Sequence, residues 1–347
     1  MNFWKNHATL RAVLIALFFV LGMVLTITGW KMTGELLDTM VRRVIRSADS
    51  SVHFLFQGGE PTLIGLPFFE QLVALERKYN TRGLKISNAV QTNGYDLSDE
   101  MIAFFAKEQF LVGVSLDGTD ETHDMLRPDA KGLPTSSIVR NTIDRLRAAG
   151  VSVNVLCVVN GEVAKHPKEV FCALAPYEYL QFIPCLDGLD GEKRDYSLSS
   201  EAYLAFLKTT FDCYHQAYLD GHPVSVRNFD NWVAMLMGMP PENCAMVGRC
   251  GPSLVIESDG SVYPCDFYCT DEYSLGNILD TDFAKLERSP KAIKFIEESL
   301  GIEEKCKECN YYRLCKNGCK RERIDLDKCT AYKNFFPYAL PHLKRMH

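Results

Sequence analysis

The feature that most limits what this chain can fold into is a rhythm. After Lys31 short apolar runs recur and stop on glycine or polar turns: "HFLFQ" (53–57), "LKISNAVQTNG" (84–94), "FLVGVSLDG" (110–118), "VSVNVLCVVN" (151–160) and "YLQFIP" (179–184). Amphipathic stretches such as "PFFEQLVALERKYN" and "SDEMIAFFAKEQ" lie between them. Runs bounded by turns read as strands, and strands alternating with helical stretches build parallel βα units. Five such units predict an α/β fold, an open or partial barrel with its site at the C-terminal strand ends. The polar ends "QGGEP", "QTNG" and "SLDG" fall at those ends. From about residue 200 the pattern turns helical, then cysteine-rich. The expected organisation is a barrel over 32–200, a helical connection over 201–243 and a cysteine-rich domain over 244–347.

A net charge of -6 gives no broad basic surface, which argues against nucleic acid as a partner. The chain holds 13 cysteines, most of them within residues 244–329. Disulfide frameworks belong to small secreted domains that lack a core. A chain of 347 residues can bury one, so the crowding reads as metal ligation. Cys306, Cys309, Cys315 and Cys319 follow the spacing CxxC-x5-C-x3-C, with Cys329 beyond and Cys244, Cys250 and Cys265 upstream. Eight thiolates divide into two four-cysteine sites, which suit either zinc or an iron–sulfur cluster. Cys157, Cys172, Cys185, Cys213 and Cys269 read as packing residues. In "QGGEP" the glycines let backbone amides approach a ligand, and Glu60 offers a carboxylate to an amine. The same residues also suit a plain glycine turn. Asp266, directly after Cys265, is placed either as a general base or as a turn cap.

The N-terminus departs from this picture. Ala12 to Trp30 is an uncharged run, preceded by Lys5 and Arg11 and followed by Lys31. Its length suits a helix across a bilayer, and no polar stripe marks it as a core helix. Residues 1–31 are therefore expected to be a hydrophobic, membrane-spanning segment. Lys31, Arg42, Arg43 and Arg46 then place the body on the cytoplasmic side.

Taken together, "FQGGEPTL", "QTNG", "FLVGVSLDG", "HDMLR", "LQFIPCLD", "VIESDGSVYPCDFY", "LGNI" and "CKECNYYRLCKNGC" resemble the anaerobic sulfatase-maturating enzymes. These are radical S-adenosylmethionine proteins with a C-terminal SPASM extension, and the resemblance runs from about Met32 to the C-terminus. It implies a partial (β/α)6 barrel followed by a SPASM domain. It also implies a [4Fe–4S] cluster that reduces S-adenosylmethionine to a 5′-deoxyadenosyl radical, fed by a donor such as flavodoxin or ferredoxin. The radical takes hydrogen from Cβ of a cysteine or serine in an unfolded sulfatase peptide, leading to Cα-formylglycine. By matching motif, the resemblance implies that Gly59, Ser115, Arg127 and Leu186 contact S-adenosylmethionine. Asp266 would be the base that deprotonates the substrate side chain. Cys244, Cys250, Cys265 and Cys319 would hold one auxiliary [4Fe–4S] cluster, and Cys306, Cys309, Cys315 and Cys329 the other.

One departure from the family is concrete. Its members begin with a strand ending in CxxxCxxC, whose cysteines bind the radical-generating cluster. This chain has no cysteine before Cys157, and the apolar run stands where that strand belongs. The expectation is a barrel whose first strand is missing or replaced, in a chain that as written does not form the radical. The apolar run then has three readings: an anchor on a non-catalytic, peptide-binding relative, a rearranged gene, or coding DNA read in another frame. Another SPASM peptide modifier, such as a thioether-forming maturase, is the alternative within enzymes. The aspartate of "YPCDFY" favours sulfatase maturation.

Overall fold

The computed structural model describes the backbone of residues 19–23 and residues 32–346, apart from 189–191 and 252. Seven strands lie side by side and parallel: β1 (Phe19–Met23), β2 (Ser51–Gln57), β3 (Lys85–Thr92), β4 (Leu111–Ser115), β5 (Ser152–Val159), β6 (Tyr179–Pro184) and the short β7 (Ser225–Val226). Beyond β1 the sheet continues through β8 (Leu254–Ile256), β9 (Ser261–Tyr263) and β10 (Gly276–Asn277). β8 is parallel to β1, β9 is antiparallel to β8, and β10 is antiparallel to β9. The cysteine-rich region is thus joined to the barrel by strand pairing.

Helices return the chain between the strands: α1 (Gly34–Ser47), α2 (Leu66–Tyr79), α3 (Asp99–Lys107), α4 (Asp120–Leu126), α5 (Ser136–Ala148) and α6 (Pro167–Leu174). Each local signal has a physical reading. Thr33 caps α1, its hydroxyl accepting from Leu36 N at 3.2 Å, and Leu36, Leu37, Met40, Val41, Val44 and Ile45 form its buried stripe. Phe56, Phe68, Phe69, Phe105 and Phe110 close the layer between β2, β4, α2 and α3 with rings 4.9–6.0 Å apart, mostly edge to face. The helices α7 (Ser200–Leu219) and α8 (Arg227–Leu236) follow the last barrel strands, with α9 (Pro290–Ser299) beyond the hairpin and α10 (Lys328–Leu343) at the C-terminus. α10 packs along α7 and against α8 through Phe211 of α7, Phe229 and Trp232 of α8, and its own Phe335 and Phe336, so the C-terminal helix covers this side of the barrel.

The membrane expectation for residues 1–31 is corrected here. Phe19–Met23 lies inside the apolar run and is a strand, paired with His53–Gln57 of β2 on one edge and with Leu254–Ile256 of β8 on the other. A strand held in the middle of a sheet cannot belong to a helix across a bilayer. Among the described residues no helix is long and apolar enough to cross a membrane. The misreading has a physical origin. Inner strands of parallel sheets are covered on both faces and so lack the polar alternation that separates a strand from an apolar helix. The first barrel strand is therefore present with a changed sequence. The rest of the run lies outside the described residues.

Candidate active site

The strand ends of the barrel converge on one mouth. Directly after β2, Gly58 and Gly59 have φ of 86° and 51°, a left-handed turn that needs residues without Cβ. Of the two readings open for Glu60, a ligand contact or a plain turn, the structure shows bonds within the turn and across to β3. Its Oε1 accepts from Thr62 N at 3.1 Å, Thr62 Oγ1 at 2.6 Å and Thr92 Oγ1 at 2.8 Å. Its Oε2 accepts from Asn93 N at 2.6 Å. The carboxylate ties the ends of β2 and β3 together.

Ser115 is buried at the last position of β4. Two residues on, Asp117 accepts from Arg127 Nε at 2.6 Å with one oxygen and from Val158 N at 2.7 Å with the other. That pair fixes the Arg127 guanidinium at the mouth. His123 is buried beneath it, its Nδ1 accepting from Asp117 N at 3.1 Å and its Nε2 lying 3.1 Å from Thr135 Oγ1. Thr135 donates in turn to Arg127 O at 2.6 Å, so Nε2 carries the hydrogen of a neutral ring. Burial holds His123 below the usual histidine range, which agrees. Leu186 follows β6, half-buried against the core. Gly59, Ser115, Arg127 and Leu186 thus lie on one edge of the sheet.

Asp266 begins the short helical turn Asp266–Tyr268 after β9. Its Oδ2 accepts from Gln57 Nε2 at 3.0 Å, and its Oδ1 accepts from Phe267 N at 3.1 Å and the Cys265 thiol at 3.2 Å. Gln57 is the last residue of β2, 209 positions earlier. Sequence reasoning did not single it out as a partner of Asp266. Its one visible signal was a polar side chain ending an apolar run, directly before two glycines.

The thiols fall into two sets. Cys319 interacts electrostatically with Cys244, Cys250 and Cys265. Cys315 does so with Cys306, Cys309 and Cys329. All 13 cysteines are free. Cys244 is exposed, yet the protein packed around its thiol pushes it up to about 11. Burial likewise raises Cys250, Cys265 and Cys319, and pushes Cys315 up to about 11. Thiolates at such positions need a nearby positive charge, which a metal centre supplies. Among the described residues no three His, Cys, Asp or Glu side chains gather as closely as a single ion requires. Each set of four thiols supplies the soft donors that an iron–sulfur cluster or a zinc ion takes.

For the radical-generating cluster the residues do not fit. No cysteine precedes Cys157, and residues 24–33, between β1 and α1, contain no Cys, His, Asp or Glu. Of the remaining cysteines, Cys157 is buried on β5, and Cys185 and Cys213 are half-buried. Cys269 stands beside the Glu257 carboxylate, its thiol pushed up to about 12, first by burial. Cys172 is exposed, so the packing role expected of it does not hold.

Comparison with known proteins agrees with this anatomy. Residues 25–171 match the Radical SAM superfamily, and residues 244–310 match the SPASM iron–sulfur cluster-binding domain. The chain is 42% identical over 324 residues to a cysteine-type anaerobic sulfatase-maturating enzyme of Clostridium perfringens, covering 90% of this chain and 88% of the relative. It is 31% identical to a serine-type enzyme of Bacteroides thetaiotaomicron, covering 91% and 82%. The solved structure of native anSMEcpe with bound AdoMet and the Kp18Cys peptide superposes with a TM-score of 0.90 at 39% identity, over 94% of this chain and 98% of that one. Streptococcus suis SuiB bound to S-adenosylmethionine shares the fold alone, at 15% identity and a TM-score of 0.59. By its sequence, its parallel barrel and its SPASM extension, this chain belongs to the anaerobic sulfatase-maturating enzymes.

Proposed function

We propose that the mouth of this barrel binds S-adenosylmethionine and a cysteine-containing sulfatase peptide, and that the site is built for oxidation of that cysteine side chain to Cα-formylglycine. The observation that carries the reading is the Gln57–Asp266 hydrogen bond at 3.0 Å, which brings a SPASM carboxylate to the strand end beside the glycine turn. Asp266 takes the proton of the substrate thiol, while Gln57 and the Phe267 amide hold its two oxygens in place. Arg127, fixed by Asp117, offers a cation to the carboxylate of S-adenosylmethionine. A cysteine target is supported by the 42% identity to a cysteine-type relative against 31% to a serine-type one. A thiol also yields its proton to a carboxylate far more readily than a serine hydroxyl does.

Cys244, Cys250, Cys265 and Cys319 would hold one auxiliary [4Fe–4S] cluster, and Cys306, Cys309, Cys315 and Cys329 the second. When bound, such clusters supply an acceptor for the electron that the oxidised side chain releases. The cluster that cleaves S-adenosylmethionine has no thiolates in this sequence, so the radical-forming half of the reaction has no seat in this chain.

Iron and acid-labile sulfide per chain, counted after anaerobic reconstitution beside S-adenosylmethionine binding and cleavage, test the reading. About eight irons are expected, with binding of S-adenosylmethionine and of a cysteine peptide but no cleavage. About twelve irons with cleavage would overturn the assignment of the N-terminus. Tightly bound zinc without iron would overturn the cluster assignment.

A further inference from the structure

We infer that Lys320 sets the reduction potential of the auxiliary cluster held by Cys244, Cys250, Cys265 and Cys319, acting as a fixed cation beside it. The inference rests on the reading that these four thiols hold a [4Fe–4S] cluster.

Lysine side chains usually carry their charge out to water. Lys320, directly after Cys319, does not: its side chain is only 15% exposed. Its Nζ lies 4.4 Å from the ring centre of Phe295, 5.1 Å from that of Tyr268 and 5.3 Å from that of Tyr273. The three rings pack against one another at 4.8–5.8 Å, so the cage is a built feature. It draws on separate parts of the chain, the turn after β9 and helix α9. Ring faces attract a cation, and this one is partly desolvated, where that attraction is strongest. Glu298 on α9 completes the cage at 2.5 Å from Nζ. Its side chain is 37% exposed, so water screens the carboxylate more than it screens the ammonium.

The charge acts on the thiol set. Three of the four thiols adjoin the cage: Cys319 directly precedes Lys320, Cys265 stands three residues before Tyr268, and Cys250 N donates to Ser299 Oγ at 2.9 Å, on the residue after Glu298 in α9. Reducing a cluster adds negative charge to it, and a cation held nearby favours the reduced form. A maturase needs this cluster to accept an electron, and Lys320 makes that acceptance easier.

An EPR-monitored redox titration of the reconstituted chain tests this in the parent, Lys320→Met and Lys320→Arg. Methionine keeps the length and apolar body of the side chain and removes only the charge. At a fixed potential the reduced-to-oxidised ratio of one cluster should fall about tenfold in Lys320→Met, about 59 mV for a one-electron step. The other cluster should stay in place, and arginine should restore the parent value. An unchanged titration in Lys320→Met would overturn the inference, as would an equal shift in Lys320→Arg or an equal shift of both clusters. Iron content that survives Cys319→Ser intact would overturn the cluster reading itself, whatever Lys320 does.

Discussion

The two ends of the barrel treat their carboxylates in opposite ways. At the mouth Glu60 accepts four hydrogen bonds, and Asp117 accepts from Arg127 and from Val158 N. At the floor, where α2 ends and β3 begins, Glu76 is 6% exposed and accepts from Asn88 Nδ2 at 3.1 Å. Glu76 Oε1 and Asn88 Oδ1 are both buried and find no hydrogen-bond partner among the described residues. They border a cleft of about 300 Å³ that Arg77, Asn80 and Glu108 also line. Burial pushes Glu76 up to about 7, Asn88 and Arg77 pull it down, and Glu108 pushes it up again. The contrast shows that a buried carboxylate stabilises a fold only as far as its donors replace water. The mouth supplies those donors and holds its side chains ready for a ligand. The floor supplies one.

Removing a carboxylate should therefore act with opposite sign at the two ends. Asp117→Ala should have the largest effect, a loss of about 4 kcal/mol in anaerobic denaturant unfolding. It strips Arg127 of its partner and leaves the Val158 amide without its acceptor. S-adenosylmethionine binding should fall with it. A loss below about 1 kcal/mol would mean that the mouth network is not the stabilised end.

Glu76→Gln should stabilise instead. The folded-state value of Glu76 stands at about 7 against an ordinary 4.5, so the protonated form is the one the fold prefers. Its stability is full below about pH 4.5 and is lost as pH rises through about 7. Glutamine stays neutral throughout. The variant should match the parent near pH 4 and exceed it by about 2 kcal/mol at pH 8. Equal unfolding curves at pH 8 would show that the floor carries no charge penalty.

How much of this was legible in the sequence depends on how local each feature is. The glycine turn at Gly58–Gly59, the strand rhythm and the cysteine spacings are local, and they could be read directly. The family motifs then assigned Gly59, Ser115, Arg127, Leu186 and Asp266, and the fold sets the first four on the C-terminal strand edge. β1 was misread because an inner strand of a parallel sheet and an apolar helix have the same composition over such a length. Glu60 was left open between a ligand contact and a plain turn because nothing local shows that Thr92 and Asn93 bond to its oxygens. Gln57 could not be paired with Asp266 before the sheet order was known. Only the adjacency of β8 to β1, and of β1 to β2, brings the end of β2 to the SPASM turn. Lys320 reads in sequence as one of a charged run, "CKRER", and its cage exists only in three dimensions.

The smallest effect separates charge from packing at the floor. Arg77 Nη2 lies 2.6 Å from Glu108 Oε2, but the Arg77 side chain is 68% exposed, so the pair itself is worth less than about 1 kcal/mol. Its second action is on Glu76, which it pulls down while it neutralises the Glu108 charge that pushes Glu76 up. Arg77→Ala removes the first influence and exposes the second, so the Glu76 value should climb further. At pH 5, where Glu76 is protonated in both proteins, the variant should lie within about 0.5 kcal/mol of the parent. At pH 8 it should be less stable by up to about 1 kcal/mol more, because the ionised carboxylate then costs more to bury. The cycle with Glu76→Gln decides the cause. In that background the pH-dependent part of the Arg77 effect should vanish, since no charge remains at position 76 for it to act on. If the full effect persists there, Arg77 works through Glu108 and packing alone, and the contrast between mouth and floor is not electrostatic at this position.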